Sequence, residues 1–327
     1  MLYWITEKKR KRAQFHVSEQ FVQVFSQMAM LFLIVAAGYA AKKVGWMDDG
    51  IDRGLSKLVL TVPLPAMILA ATLDAESVPS LEQLGSGFVF SLVCYVIMII
   101  AAFALTFILR IHRGNQGVFR YMMLFGNVGF IGYPVCSAIF GSESLIYVSI
   151  FQIPFNLLCF TLGIWFIAQD NDYGVKVKFS LKNFLSPCFV CCFAAVILTL
   201  LGVHSVPVLG ETLSTLGSMT TPASLLIIGS SLANLPLKEL IGGGKLWISS
   251  FSRLLVIPAA IWFVLHFFVS DPVLLGTLIV LCGMPVATNG TMFCYEYGGN
   301  AKTMAQATFI TTVFSLVTIP VLMMLLG

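Results

Sequence analysis

Apolar runs of 19–25 residues, separated by short polar connections, recur from Phe21 to Leu326 and limit the folds open to this chain. A bilayer core about 30 Å thick takes roughly 20 apolar residues per helical crossing. Inside it, backbone N–H and C=O groups must be satisfied without water, so spanning structures are helices or closed barrels. Barrel strands are short and alternate in polarity. These runs are long and continuous, which selects helices. Composition agrees, since 58% of the 327 residues are of the AVILMFWYC set and 10% are charged, against about 25% charged in soluble domains. Mean hydropathy is +0.93. The chain reads as an all-α polytopic membrane protein.

Ten spans are expected at Phe21–Ala41, Leu55–Leu73, Phe88–Leu109, Val118–Phe140, Leu145–Ala168, Phe184–Val203, Leu213–Leu232, Leu246–Val269, Val273–Tyr297 and Met304–Leu326. The second carries Pro63 and Pro65 and the seventh Pro222, so both are expected to be irregular. All fourteen Lys and Arg after residue 12 fall in, or just beside, the odd-numbered connections. By the positive-inside rule that side is cytoplasmic, and both termini face outward across the cell membrane. Lys8-Lys9-Arg10-Lys11-Arg12 opposes the pattern, and the full-length apolar run behind it is not that of a signal peptide. The net charge of +4 is thus explained by topology and does not point to nucleic acid. Residues 1–20 form a basic tail, 21–168 a first five-helix repeat, 169–183 a cytoplasmic loop and 184–327 a second five-helix repeat. Five is odd, so the second set enters the membrane in the opposite sense, as inverted repeats require.

The fourth span of each set is interrupted. The first reads Gly126-Asn127-Val128-Gly129-Phe130-Ile131-Gly132-Tyr133-Pro134, the second Gly283-Met284-Pro285-Val286-Ala287-Thr288-Asn289-Gly290. Proline removes a backbone donor and clashes with the preceding turn. Such runs also serve as plain packing devices, but paired interruptions at matching places in two halves point to a transporter binding site. Half-helix N-termini present partial positive charge to an anion. Asn127 and Asn289 add side-chain N–H donors without buried charge. The candidate substrate-binding residues are Asn127, Gly129, Pro134, Gln152, Asn156, Pro285, Thr288 and Asn289. Gln152 and Asn156 share a helix face one turn apart, which suits an interhelical hydrogen bond as well as a ligand contact.

Charge inside the spans is scarce. Arg253, Lys57 and Glu296 lie close enough to span ends to reach the interface. With no midplane carboxylate to take a proton, the chain is expected to act as a facilitator or exporter of an anion, or as a carrier of a protonated acid. Glu296 or Asp52 near the membrane face is the alternative proton carrier. The eight cysteines lie in apolar runs and read as small hydrophobes, although Cys188-x-x-Cys191 also has redox or metal spacing. His16, His112, His204 and His266 form no catalytic or metal cluster, so no enzyme, metal or cofactor is expected. A channel or receptor is the competing class, since broken helices alone do not exclude it.

At these residues the chain resembles the auxin efflux carrier family, which includes plant exporters and bacterial carboxylate permeases. The resemblance rests on Met284 to Asn289, Tyr297-Gly298, Thr311-Thr312, Ser315, Thr318, Pro320 and the Gly126-to-Pro134 run. It implies ten helices in two inverted five-helix repeats, with the fourth and ninth crossing near Pro134 and Pro285. It also implies a small organic anion bearing a carboxylate, an elevator-like motion of a transport domain against a scaffold, and a homodimer in the lipid. Ser186-Pro187 stands where many relatives carry Asn-Pro, and the 169–183 loop is short.

Overall fold

The computed structural model describes residue 26 and residues 29–73, 80–170, 187–203, 206–233 and 242–326. The basic tail, the loop segment 171–183 and Ser186 lie outside these, as do the side chains of Arg53, Cys188 and Glu296. Most of the described residues are helical. In order come α1 (29–44), α2 (Asp49–Thr61), α3 (Pro63–Leu73), α4 (Leu81–Ile108), α5 (Gln116–Leu124), α6 (Tyr133–Phe140), α7 (Ser144–Leu158) and α8 (Ile164–Gln169). The second half holds α9 (Pro187–Leu200), α10 (Pro207–Ser218), α11 (Thr220–Ala233), α12 (Gly244–Phe251), α13 (Ile257–Leu265), α14 (Pro272–Cys282), α15 (Asn289–Tyr297) and α16 (Ala301–Leu326). Among the described residues, five stretches are long and apolar enough to cross a bilayer: Asp49–Ala70, Glu82–Ile108, Ser144–Gln169, Gly244–Leu265 and Ala301–Met323.

The surface is apolar where a soluble protein's would be polar. α4 exposes Val89, Leu92, Val96, Ile100, Phe103 and Phe107, spaced three and four apart and therefore on one face. Its other face buries Cys94, Tyr95, Met98 and Ala102. Lipid is the medium that accepts such a face.

Helix ends follow local chemistry. Ser80 and Gln83 form a reciprocal cap on α4. Asp271 caps α14 through Val273 and Leu274 and accepts from the Tyr147 hydroxyl at 2.7 Å. Asp170 accepts from the Gly117 and Val118 amides, tying the end of α8 to the start of α5. The predicted irregularities are present. Pro63 breaks the second span at Val62, and the seventh breaks at Met219, three residues before Pro222. Both begin earlier than expected, at Asp49 and Pro207, because amphipathic or mixed first turns extend the helix beyond its apolar stretch.

α2 and α3 pack on α9, α10 and α11, while α4 to α8 pack with α12 to α16. The groups meet where α7 lies on α9 and α3, and where α11 lies on residues 128–132. Apolar helices gain little from association in lipid, so close packing has to hold them together. Gly38 and Gly229 provide it between α1 and α11. A Cβ on Gly38 would sit 2.2 Å from Leu226 O, and one on Gly229 1.9 Å from Val35 O. Gly229→Leu is expected to force these helices apart and destabilise the fold by about 3 kcal/mol. A melting temperature within error of wild type in detergent would show that they do not pack this way.

Candidate functional site

The two interrupted spans cross one another. α5 ends at Leu124, and Phe125 leaves the helix in extended geometry because the following glycines favour no helical continuation. α14 ends at Cys282, just before Gly283 and Pro285. Freed from their helices, the two strands of backbone satisfy each other. Gly126 and Val286 form an antiparallel bridge, Asn127 N donates to Pro285 O at 2.7 Å, and Ala287 N donates to Phe125 O at 3.0 Å. Val286 N finds Thr311 Oγ1 of α16 at 2.9 Å. Buried backbone that leaves a helix in lipid has to be repaired in this way.

Helix resumes on the far side of each break. Residues Val128–Gly132 form a π turn leading into α6, and Asn127 Oδ1 caps it by accepting from Phe130 N at 3.1 Å. Asn127 is 5% exposed, and its Nδ2 donor has no hydrogen-bond partner among the described residues. A Cβ on Gly129 would meet nothing within 4 Å, so the π turn borders open space. Pro134 is buried where the π turn passes into α6, within the continuous helix Val128–Phe140. On the other chain segment α15 starts at Asn289 without a side-chain cap, next to exposed Thr288. Both resumed helices thus present their N-terminal ends at the crossing.

Asn289 has neighbours different from those of Asn127. Its Oδ1 accepts from the Tyr121 hydroxyl at 3.0 Å, and its Nδ2 faces Cys159 Sγ at 3.6 Å. Cys159 is brought there by a second π turn, Cys159–Gly163, in the fifth span. Tyr121, Phe125 and Phe293 pack as an aromatic wall around this corner. Gln152 and Asn156 are buried, and Gln152 Nε2 donates to Asn156 Oδ1 at 3.2 Å. This bond lies within α7, not between helices, because side chains four apart on one face reach each other first. Gln152 Oε1 has no partner among the described residues.

One expectation is overturned. Arg253 does not reach the interface. It is 1% exposed, in a third π turn, Ser252–Val256. Its Nη1 donates to Met123 O at 2.8 Å and its Nε to Met284 O at 3.2 Å, so one guanidinium ties both breaks together. The signal was depth. Arg253 lies eight residues into a helix that starts at Gly244-Lys245, about 12 Å along the axis at 1.5 Å per residue. Three π turns converging on one crossing also escaped the sequence, although such turns gather at functional sites. Asp52 near the membrane face is 9% exposed, held by Lys42 at 3.0 Å and Ser230 at 2.7 Å. The cysteines other than Cys188 are free, and Cys192 Sγ lies 3.5 Å from the Tyr133 hydroxyl. A separate cavity of about 300 Å³ opens between the 111–115 turn and the starts of α12 and α16, lined by His112, Asn115, Lys245 and Thr303.

Residues 23–323 match the family model described as membrane transport protein. An uncharacterised transporter of Methanocaldococcus jannaschii is 27% identical over 301 residues, covering 89% of this chain and 94% of its own. A second uncharacterised transporter, from Methanothermobacter thermautotrophicus, is 23% identical over 300 residues with the same coverage. With multi-pass apolar helices, crossed breaks and a match over most of its length, the chain belongs to the auxin efflux carrier family of membrane transport proteins.

Proposed function

We propose that the chain is a secondary carrier of a small organic anion bearing a carboxylate, working by alternating access with an elevator-like motion across the cell membrane. Ten helices in two inverted five-helix repeats are the architecture this requires, with Asn127, Gly129, Pro134, Gln152, Asn156, Pro285, Thr288 and Asn289 around the substrate. The observation that carries the reading is Asn127 Nδ2, a buried donor left without a partner at the crossing, where the 128–132 turn begins. An unpaired buried donor costs about 1–3 kcal/mol. A carboxylate would accept from it and offset the positive helix end there. The split between α1 to α3 with α9 to α11 and the remaining helices supports a scaffold and a moving part. A homodimer through the scaffold fits the resemblance.

The protein reconstituted in liposomes is expected to take up a labelled mono- or dicarboxylate saturably, and internal unlabelled substrate should speed that uptake. Single-channel currents without such trans-stimulation would replace the carrier with a channel. The topology has its own check. Cysteines at Ser142 and Arg113, both exposed, should react with an impermeant maleimide from opposite sides. Reaction of both from one side would remove the ten-span arrangement.

A further inference from the structure

Arg253 is more deeply buried than any other charged side chain among the described residues, and no described carboxylate pairs with it. Its partners are the carbonyls of Met123 and Met284, with Met98 Sδ at 3.2 Å from Nη1. Met123 lies in the last turn of α5, and Met284 lies two residues beyond the end of α14. The last carbonyls of a helix lack intrahelical partners and carry about half a negative charge. Met123 O is such a carbonyl of α5, Met284 O belongs to the unwound chain just past α14, and the guanidinium sets its positive charge against both. At the crossing, helices resume at residues 128–132, beside the orphan donor of Asn127, and at Asn289, while a tethered cation holds the carbonyls of Met123 and Met284. In carriers with broken helices, unwound carbonyls and half-helix C-terminal ends are where a co-transported cation binds. Here that position is already filled.

We propose that Arg253 is a resident counter-cation standing in the place of a coupling ion, so that this carrier binds its anion and turns over without Na⁺ or another alkali cation. The proposal rests on the carrier reading above. Arg253 is a positioning residue that acts through the two carbonyl ends and does not touch the substrate. It also gives the absence of a midplane carboxylate a physical sense. A site with a permanent internal cation needs no protonatable acid to hold a transported one.

The test uses the full chain in detergent and in liposomes, with choline chloride as the inert salt. Wild-type melting temperature and uptake should not change when NaCl or KCl replaces choline chloride. Arg253→Ala should melt lower and lose about a hundredfold in uptake, as expected when a buried charged donor leaves two acceptors unpaired. Millimolar guanidinium chloride should raise its melting temperature and restore uptake about tenfold (some 1.4 kcal/mol), while leaving wild type unmoved. Arg253→Lys keeps a cation and should fold, retain part of the uptake and ignore guanidinium. A wild type that needs Na⁺ for uptake or is specifically stabilised by it overturns the proposal. So does a folded Arg253→Ala indifferent to guanidinium, or a folded Arg253→Lys without uptake. If Arg253→Ala does not fold, the wild-type salt series and Arg253→Lys decide alone. The melting measurements contain no substrate, so they hold even if no organic anion is carried.

Discussion

Gly126→Val is expected to abolish transport and to lower the melting temperature more than any substitution elsewhere in the two breaks. A Cβ at this position would lie 2.3 Å from Arg253 Nη2, 3.0 Å from Met284 Cβ and 3.3 Å from Met284 O. The guanidinium has no room to retreat without releasing Met123 O or Met284 O. Either release leaves a buried charge with fewer partners, which costs about 3–5 kcal/mol. The same side chain disturbs the Gly126–Val286 bridge, so both half-spans lose their mutual support. Gly129→Ala is the matched control three residues away. Its Cβ meets nothing within 4 Å, so folding should hold within about 1 kcal/mol, the effect of Ala for Gly in ordinary helical geometry. Melting curves followed by size-exclusion chromatography read both variants. A Gly126→Val protein as stable as Gly129→Ala would show that the guanidinium does not sit against this backbone.

Asn127→Asp separates folding from substrate binding. Aspartate keeps the acceptor that caps Phe130 N at 3.1 Å, so the π turn should remain. It replaces the Nδ2 donor with an oxygen and puts a like charge where the anion is proposed to bind. A hydrogen bond to a charged group contributes about 1.5–3 kcal/mol, and repulsion adds to its loss, so uptake should fall about a hundredfold or more. Asn127→Ala loses cap and donor together and should show a lower melting temperature as well. Wild-type uptake by a folded Asn127→Asp protein would remove Asn127 from the site.

The sequence was informative wherever a backbone bond had to be missing. Pro63 marks the break at Val62, and Gly126 and Pro285 mark the two places where helix stops at mid-span. A proline or a glycine run is a local fact and can be read locally. What repairs the break is a tertiary fact. Nothing in the Gly126 run says that Asn127 N will bond Pro285 O across some 160 residues of chain. Arg stems snorkel, which favours an interfacial Arg253, but its depth beyond Lys245 puts the interface out of reach. The π turns at 128–132, 159–163 and 252–256 leave apolar spacing almost unchanged over a span, so hydropathy does not register them. Gln152 and Asn156 were legible as a same-face pair, but not as partners of each other.

Whether the crossing itself holds the anion is tested most directly by a structure of the reconstituted protein with a transported carboxylate bound. The carboxylate is expected within hydrogen-bond distance of Asn127 Nδ2, between the 128–132 turn and the start of α15. A carboxylate settled only in the cavity beside His112 and Lys245, with Asn127 Nδ2 still unpartnered, would contradict it.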